Sequence, residues 1–229
     1  MTFDKILRYC TDLDKNNNRP WFHENHAQYE EAKAEFEELV ELVKFCIVDR
    51  VPELSEELIF EKPKNMIYRI PRDARMHRNL PPYNPSFRAY VSRDKKSWLP
   101  IGYYFKICPG DSLFGTGYFA ESTEKLNAVR SYILDNADEF LRIVNDNNLT
   151  IVGAKLKRVP QGYPDGLEIS EYLKHKDWEA MVKLEDSQLT TFDDFIKLVG
   201  DIIDRMEPFR KFMLEAATSL APNEWEMFR

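Results

Sequence analysis

Residues 101–119 read IGYYFKICPGDSLFGTGYF, two patterned runs joined by a proline and a glycine. From Ile101 to Cys108 apolar residues alternate with a second set, so the two sets face opposite sides of a strand. Pro109-Gly110-Asp111 is typical of a turn, because proline presets its first corner and glycine accepts the positive φ of the next. Ser112–Phe119 then returns as the partner strand. The segment predicts an antiparallel hairpin.

Helical spacing of apolar residues predicts helices on both sides of this hairpin. A short amphipathic helix is expected at residues 3–14, and a long one from Arg19 to Val48 that follows Asn18 as its N-cap. Further strands are expected at Asn65–Ile70, Phe87–Ser92 and Thr150–Leu156. After the hairpin, helices are expected at 122–136 with Ser122 as N-cap, 137–145, 170–175, 191–206 and 208–217.

These elements predict one α+β domain over residues 1–229, with helices packed on one face of a mostly antiparallel sheet. It would comprise N-terminal helices at about 3–48, a sheet-rich middle at about 64–119 and a helical C-terminal part at about 122–217. Cys10 and Cys46 fall on apolar sides of the N-terminal helices and are expected in the core. A chain of 229 residues buries enough surface to need no disulfide or metal.

Composition excludes several classes of protein. Hydrophobic residues make up 43% and aromatic residues 13% of the chain, which rules out wholesale disorder. No stretch approaches the roughly 20 apolar residues of a membrane helix. Asp4, Lys5 and Arg8 stand where a signal peptide has its apolar stretch. The 3 cysteines, an odd number without paired spacing, indicate free thiols in a reducing compartment. We expect a soluble cytoplasmic protein.

Charge is distributed unevenly along the chain. The net charge is −7, yet residues 61–110 hold 11 lysines and arginines against 3 acidic residues. The segment before them holds 7 against 14, and the segment after them 14 against 22. A basic segment in an acidic protein either pairs with the acidic remainder or faces an anionic partner. The overall sign argues against a general nucleic-acid binder.

The strongest local signal is the run of residues 69–78, RIPRDARMHR, which holds 4 arginines. They cannot all be buried without anionic partners, because an unpaired interior charge is strongly destabilising. Guanidinium groups bind carboxylates and phosphates in bidentate geometry, and Asp73 is placed to hold one arginine in position. Two interpretations stay open. One is a network of salt bridges with the acidic helices, and the other is an anion-binding pocket.

Gly115 and Gly117 share one face of the second hairpin strand. Glycine weakens the interior of a strand, and its presence there usually marks a bulge or a close approach by backbone or ligand. The group that approaches these glycines is either a tightly packed helix or a bound ligand, and both interpretations stay open. The stretch also matches the loose dinucleotide pattern G-x-G-x-x-A, but the glycines are expected within an antiparallel strand, and no βαβ unit follows.

Metal ligands and nucleophiles have little support. His23 and His26 have a spacing compatible with a shared metal, but no third or fourth ligand follows in a recognisable pattern, so we expect no metal site. Cys108 and Ser112 lack a partner base in any known arrangement. Among the histidines only His77, within the arginine run, is a candidate for proton transfer. No phosphate-binding loop pattern is present, and we expect no cofactor.

Tyrosines beside basic residues offer a third interpretation. Tyr103, Tyr104 and Tyr118 have the character of residues that stack on the bases of single-stranded nucleic acid. Tyrosines in strands are more often half-buried in a core, with a hydrogen-bonded hydroxyl. With the acidic net charge, this makes nucleic acid a weaker expectation than a small anionic molecule.

Segments spread in order over residues 16–176 resemble a bacterial family of about this length, domain of unknown function 2461, a conserved hypothetical group. The segments that carry the resemblance are Asn16-Asn17-Asn18-Arg19, Trp21-Phe22, Asn25, Tyr29, Arg69-x-x-Arg72-Asp73-x-Arg75, Pro82-Tyr83, Gly102-Tyr103-Tyr104, Pro109-Gly110, Gly115-x-Gly117, Arg130, Leu156-Lys157-Arg158-Val159-Pro160, Gly162 and Leu173-x-x-Lys176. The R-x-x-R-D-x-R element is the most specific of them. The family has no established activity, so the resemblance implies membership and locates residues without naming a reaction.

Two positions depart from the family pattern. The family places an Asp/Asn-Lys pair shortly before its tyrosine, where this chain has Asn79-Leu80. A second basic residue, which usually follows that tyrosine, is replaced by Asn84. If those lysines contact an anion in relatives, this protein binds the anion more weakly or differently.

The leading hypothesis is that the chain binds a small phosphorylated or carboxylated anion through an arginine-rich cleft. Three arginines would line the cleft, one carboxylate would orient them, two glycines would admit the ligand and two further cations would close it. The three arginines are Arg69, Arg72 and Arg75, and the carboxylate is that of Asp73. The glycines are Gly115 and Gly117, and the two further cations are Arg158 and Lys176. Tyr83 and Tyr104 complete the candidate ligand-binding set.

Two alternatives stay open beside this hypothesis. An enzyme acting on such a ligand would use Asp73, His77 or Tyr83 as acid–base groups, although no nucleophile–base pair stands at a known spacing. A structural or protein-interaction domain would instead use the arginines in internal salt bridges and carry its function on another surface. The sequence names no protein partner.

Overall fold

The structure, a computed structural model, describes residues 1–73, 75, 79–93, 101–120 and 122–219. Its helices are α1 (Asp4–Lys15), α2 (Arg19–Glu24), α3 (His26–Arg50), α4 (Ser55–Leu58), α5 (Pro63–Met66), α6 (Thr123–Asp135), α7 (Ala137–Asp146), α8 (Ser170–Leu173) and α9 (Phe192–Thr218). Its strands are β1 (Phe87–Val91), β2 (Tyr103–Ile107), β3 (Ser112–Phe119), β4 (Ile151–Val152) and β5 (Asp177–Leu184). No helix in these ranges is both long and apolar enough to cross a membrane.

The predicted hairpin is present as β2 and β3, and its turn follows the expected chemistry. Gly110 has a φ of +70°, and the amide of Asp111 donates to the carbonyl oxygen of Cys108 over 2.9 Å. The Gly110 amide also donates to both carboxylate oxygens of Asp186, over 2.9 and 3.0 Å. The turn is therefore fixed from within and by a side chain far along the sequence.

The five strands form an antiparallel sheet in the order β1-β2-β3-β5-β4, which confirms the predicted α+β class. In the pairing of β1 with β2, Arg88 lies opposite Lys106 and Tyr90 lies opposite Tyr104. Paired residues share a face of the sheet, and so do residues two apart on one strand. These four side chains therefore lie on one face, and Phe87, Ala89 and their partners lie on the other.

The chain divides into two compact units. Unit 1 comprises residues 1–95, 103–114 and 182–203, and unit 2 comprises residues 96–102, 115–181 and 204–229. Strands β3 and β5 each contribute residues to both units. The prediction of a single domain over 1–229 stays a prediction.

Unit 1 has an aromatic core between its strands and its helices. Phe36 of α3 packs against Phe87 and Phe105, with ring centroids 5.3 and 5.4 Å apart, and Phe195 of α9 packs on Phe105 at 6.3 Å. Each such pair stabilises the fold by about 0.5–1.5 kcal/mol beyond the contribution of the apolar surface that it buries. Because the helices pack on this face of β1 and β2, Arg88 and Tyr104 lie on the face turned away from them.

Unit 2 has its own core around Phe140 of α7. Its ring packs edge-on against Tyr172 at 5.1 Å and against Phe212 at 5.4 Å. Trp178 of β5 is fully buried, and its indole nitrogen donates to the carbonyl oxygen of Tyr172 over 2.9 Å. The indole ring therefore contributes its apolar surface to the core, and its N–H group is not left without a hydrogen-bond acceptor.

Two predictions about the first half of the chain are wrong. The expected helix from Arg19 to Val48 is interrupted at Asn25, whose side-chain amide donates to the carbonyl oxygen of Trp21 over 2.9 Å. Asparagine competes for backbone partners in this way and so ends helices. The expected strand at 65–70 is replaced by α5, which starts at Pro63, and within that range Ile67 makes a single bridge to Ala89.

The second half also differs from expectation in three places. The strand predicted at 150–156 is limited to β4 because Gly153, with a φ of +125°, turns the chain. Strand β5 was not predicted at all. The two helices expected at 191–206 and 208–217 form one helix, α9, with Pro208 inside it. Asn18 and Ser122 are N-caps as predicted, accepting from the amides of Trp21 and Lys125. Cys10 and Cys46 are buried, as expected.

Candidate functional site

The arginine-rich segment is held in unit 1 by a short backbone ladder. Pro71 forms an antiparallel bridge with Tyr83. The amide of Arg72 donates to the carbonyl oxygen of Pro82, and the amide of Asn84 donates to that of Ile70, both over 2.9 Å. These bonds fix the backbone at residues 70–72 against residues 82–84, so that the side chain of Arg72 starts from a defined position.

Among the described residues, Arg72 is bound to backbone carbonyls and to no carboxylate. Its Nη1 atom donates to the carbonyl oxygen of Pro81 over 2.9 Å and to that of Tyr83. Burial lowers the pKa of Arg72 below its ordinary value, and the charge of Arg88 lowers it further. Asp14 of α1 acts in the opposite direction, but more weakly. The guanidinium is thus positioned by backbone carbonyls, and no carboxylate in the described ranges forms an ion pair with it.

Arg88 of β1 lies beside this group. Its Nη2 atom donates to the carbonyl oxygen of Arg69 over 3.2 Å, and its guanidinium lies 5.6 Å from the centre of the Tyr68 ring. Its Nε atom is buried and has no acceptor among the described residues. The side chain of Arg69 is itself exposed. We call Arg69, Arg72 and Arg88 the arginine group.

Arg75 and Asp73 form a local ion pair. The Asp73 carboxylate accepts from Nε of Arg75 over 3.1 Å and from Nη2 over 2.8 Å, so each of its oxygens is engaged. The bond to Asp73 raises the pKa of Arg75. Asp73 therefore holds Arg75 in position, and in the described ranges it binds neither Arg69 nor Arg72; its role in orienting arginines of a cleft stays a prediction. A carboxylate held in this way is a poor candidate for the general base of the enzyme alternative.

Tyr83 serves as an anchor through its ring and its backbone. The ring is buried and stacks on Phe22 at 4.2 Å, with an angle of 10° between the planes. Asn17, in the loop after α1, donates from its side-chain amide to the Tyr83 carbonyl oxygen and accepts from the Tyr83 amide, both at 3.0 Å. The carbonyl oxygen of Tyr83 therefore receives bonds from both Asn17 and Arg72.

Tyr104 lies at the edge of the arginine group. It is half-buried, and its ring meets that of Tyr68 edge-on, with centroids 6.3 Å apart and planes at 60°. The amide of Tyr68 donates to the carbonyl oxygen of Arg88 over 2.9 Å, which holds this segment beside β1. Burial raises the pKa of the Tyr68 hydroxyl. Two tyrosine rings and the Arg88 guanidinium thus lie together.

Gly115 and Gly117 lie in unit 2 and are approached closely by strand β5. A Cβ atom on Gly115 would lie 2.3 Å from the carbonyl oxygen of Ala180, and one on Gly117 would lie 2.4 Å from that of Trp178. The close approach predicted from these glycines is therefore real, but it is made by a neighbouring strand and not by a helix. Their contact with a ligand stays a prediction.

Arg158 and Lys176 are exposed cations of unit 2. Their segments run side by side: Leu156 donates its amide to the carbonyl oxygen of Lys174 over 2.8 Å, and Lys176 donates to that of Ala154 over 2.7 Å. Six of the ten predicted ligand-binding residues thus belong to unit 1 and four to unit 2. The structure brings Arg72, Tyr104 and the backbone of Arg69 together around Arg88, and separately places Arg158 near the segment of Lys176.

A buried arginine and a buried histidine support this part of unit 2. Arg130 of α6 donates to the carbonyl oxygens of Leu173 and His175, both over 2.9 Å, and to the side-chain oxygen of Asn127 over 3.1 Å. His175 is fully buried, and its Nδ1 atom lies 3.0 Å from the carbonyl oxygen of Asp177. Arg130 thus tethers the chain between α8 and β5.

Acid is expected to destabilise the protein through His175. Burial, assisted by the charge of Lys155, lowers the pKa of His175 from 6.5 to about 4. Between these values the unfolded chain binds the proton more readily, so stability that is present above pH 6.5 is lost as the pH falls towards 4. We expect the free energy of unfolding to fall by about 2–3 kcal/mol more in the wild type than in His175→Asn. Denaturant unfolding at about pH 7 and pH 4.5 measures this difference, and equal losses in both proteins would contradict it.

An open cavity of about 470 Å³ lies on α6 and does not involve the predicted residues. Glu124, Tyr132 and Asp135 contribute to its wall, and the two carboxylates make this wall negatively charged. Burial and a hydrogen bond to Glu215 raise the pKa of Tyr132 to about 12, which makes this hydroxyl a weak acid. An acidic cavity of this kind does not suit the anionic ligand predicted from the sequence.

The remaining candidates from the sequence are a cysteine and three histidines. Burial raises the pKa of the Cys108 thiol, and its sulfur lies 3.6 Å from the carbonyl oxygen of Pro85. His23 and His26 are exposed, and the described residues contain no cluster of three or more metal-ligating side chains. His77, the predicted proton-transfer residue, lies outside the described residues.

Three residues of the site were missed by the sequence reasoning. Arg88 stands in a strand remote from the arginine run, although its place between Phe87 and Ala89 marks it as facing away from the core. Tyr68 lies in a segment wrongly predicted as a strand. Asn17 was noted as part of the resemblance, and nothing in its residue type indicates that it binds Tyr83.

The comparison with protein families agrees with the resemblance seen in the sequence. A family model described as conserved hypothetical protein (DUF2461) matches residues 5–212, which covers the arginine group, Asn17 and the segments of unit 2 described above. A search of curated proteins gave no significant match, and a search of solved structures gave none. The chain belongs to the family described as conserved hypothetical protein (DUF2461).

Proposed function

We propose that the chain binds a small phosphorylated or carboxylated anion through the arginine group. The observation that carries the proposal is that the two positively charged side chains of Arg72 and Arg88 lie close together. Each lies close enough to the other for the charge of Arg88 to lower the pKa of Arg72. Among the described residues, no carboxylate lies within 4.0 Å of any member of the group. Like charges that a protein holds together without a counter-charge favour an anion between them.

The contacts of these arginines support binding more than a purely structural role. Arg72 uses Nη1 on its two carbonyl partners and Arg88 uses Nη2 on one. A guanidinium has five N–H donors, so donors remain for a ligand on both side chains. The structural alternative predicts salt bridges to the acidic helices. In the described part of the chain, the ion pair found in this segment is the local one between Arg75 and Asp73.

Titration with inorganic phosphate and citrate tests the proposal directly. Isothermal titration at constant ionic strength should show binding to the wild type, and a concentration of 100 times Kd should add about 2.7 kcal/mol to the free energy of unfolding. Arg69→Gln should weaken binding about 10-fold, because a charge-assisted hydrogen bond contributes about 1.5–3 kcal/mol. Arg69 is the variant of choice because its side chain is exposed and makes no hydrogen bond to the described residues.

The matched control is Arg142→Gln. Arg142 is an exposed residue of α7 in unit 2, and its removal changes the net charge by the same amount. It should leave the affinity unchanged. The proposal would be wrong if neither anion binds to the wild type, or if Arg69→Gln and Arg142→Gln lower the affinity equally, since a general charge effect would then explain the binding.

A further inference from the structure

The face of β1 and β2 turned away from the helices combines guanidinium and aromatic side chains. The strand register places Arg88 and Tyr104 diagonally on this face. Tyr68 joins them, with its ring under the Arg88 guanidinium at 5.6 Å and edge-on to Tyr104 at 6.3 Å. An anion without a ring would use the cations alone, whereas a ligand with both an anionic group and a ring would use the cations and the rings together.

The charges on this face limit how large the anion is. Lys106 shares the face, but it is paired with Asp111 over 2.6 Å. Among the described residues of this face, the arginine group is therefore the available cationic part, and two or three guanidiniums match the charge of a single phosphate monoester. The protein as a whole has a net charge of −7. A long polyanion would meet repulsion outside this face, whereas a single phosphate would not.

We propose that the bound anion is a nucleoside monophosphate, whose phosphate contacts the arginine group and whose base stacks at Tyr104 and Tyr68. The inference rests on the proposed anion binding and adds the chemical class of the ligand. Stacking on an aromatic side chain tolerates any base, because every base has a π face, and it contributes enough for its removal to be measurable. The guanidinium–aromatic pair of Arg88 and Tyr68 presents the cation and the ring side by side.

A ligand series on the wild-type protein separates the base from the phosphate. Isothermal titration with inorganic phosphate, ribose 5-phosphate and adenosine monophosphate should give the last at least 10-fold tighter binding than ribose 5-phosphate. If the two sugar phosphates bind equally, the base makes no contact and this inference is wrong, while the anion site stands. If none of the three binds, the proposed function fails as well. Binding of a six-nucleotide oligomer more tightly than the mononucleotide would also overturn the inference, in favour of single-stranded nucleic acid.

Variants at Tyr104 test the stacking residue. Tyr104→Leu should lower the affinity for adenosine monophosphate about 10-fold and leave the affinity for ribose 5-phosphate unchanged. Tyr104→Phe keeps the ring and should retain both affinities. An equal loss for both ligands in Tyr104→Leu, or a loss in Tyr104→Phe as large as in Tyr104→Leu, would overturn the stacking role.

Discussion

Glu207→Ala is expected to lower the free energy of unfolding by about 3–5 kcal/mol. Arg210 of α9 is almost fully buried, at 1% exposure. Its Nε and Nη2 atoms each donate to a Glu207 oxygen over 2.7 Å, and its Nη1 atom donates to the carbonyl oxygen of Ile101 over 3.1 Å. Removing the carboxylate takes two charge-assisted hydrogen bonds away from this buried guanidinium. Denaturant unfolding followed by circular dichroism measures the loss.

Two further variants make the Glu207 result specific. Asp201→Ala removes an exposed acidic residue from the same helix and should change stability by less than about 0.5 kcal/mol. The double variant Glu207→Ala with Arg210→Met should recover most of the loss, since exchanging a whole buried ion pair for apolar residues is often neutral. A double variant no more stable than Glu207→Ala would show that lost packing, and not the charge of Arg210, causes the effect.

Gly117→Ala is expected to lower the free energy of unfolding by about 3 kcal/mol. The added methyl would lie 2.4 Å from the carbonyl oxygen of Trp178 and 2.7 Å from the Cα of Glu179. Both atoms are backbone of β5, which cannot rotate aside as a flexible side chain does. Strand β5 would have to move away from β3, and the buried Trp178 would move with it.

Gly162→Ala is the comparison for this substitution. Gly162 has a φ of +91° and open space where the methyl group of alanine would lie, so alanine there meets backbone strain alone. It should cost about 1 kcal/mol. Equal losses at the two glycines in denaturant unfolding would contradict the claim that contact with β5 requires glycine at position 117.

Local chemistry made the hairpin and the helix caps predictable from the sequence. Proline and glycine at 109–110 specify the turn, and β3 has the predicted bounds, Ser112–Phe119. Asn18 and Ser122 accept backbone bonds as N-caps because their side-chain oxygens reach the first turn. Such features depend on a few neighbouring residues, so they can be read without knowing the rest of the fold.

Strand β5 was missed although its alternation is present. Trp178 and Ala180 are buried, while Asp177 and Glu179 are half-buried between them. Alanine, methionine, glutamate and lysine in this stretch favour helix, and they obscured the two-residue period. The strand forms because β3 and β4 pair with it, and that pairing is a long-range effect that no local pattern contains.

The candidate site shows the same division between local and long-range information. Arg69 and Arg72 were identified from a dense run of charge, and the pairing of Asp73 with Arg75 follows from their separation of two residues. Arg88 enters the group only because the segment of Tyr68 is bonded beside β1. A dense run of charge along the sequence therefore locates the candidate site, while the pairing of segments in the sheet determines which distant charged residue joins it.

The two hydrogen bonds to the Tyr83 carbonyl oxygen have a consequence for the proposed anion site. Asn17 and Arg72 donate to the same oxygen, although they lie far apart in the sequence. A change in the loop after α1 is therefore transmitted to a guanidinium without adding or removing any charge. In the proposed anion site, Asn17 is thus an uncharged residue outside the arginine group through which ligand selectivity is altered, and it gives the design of new specificities a starting point.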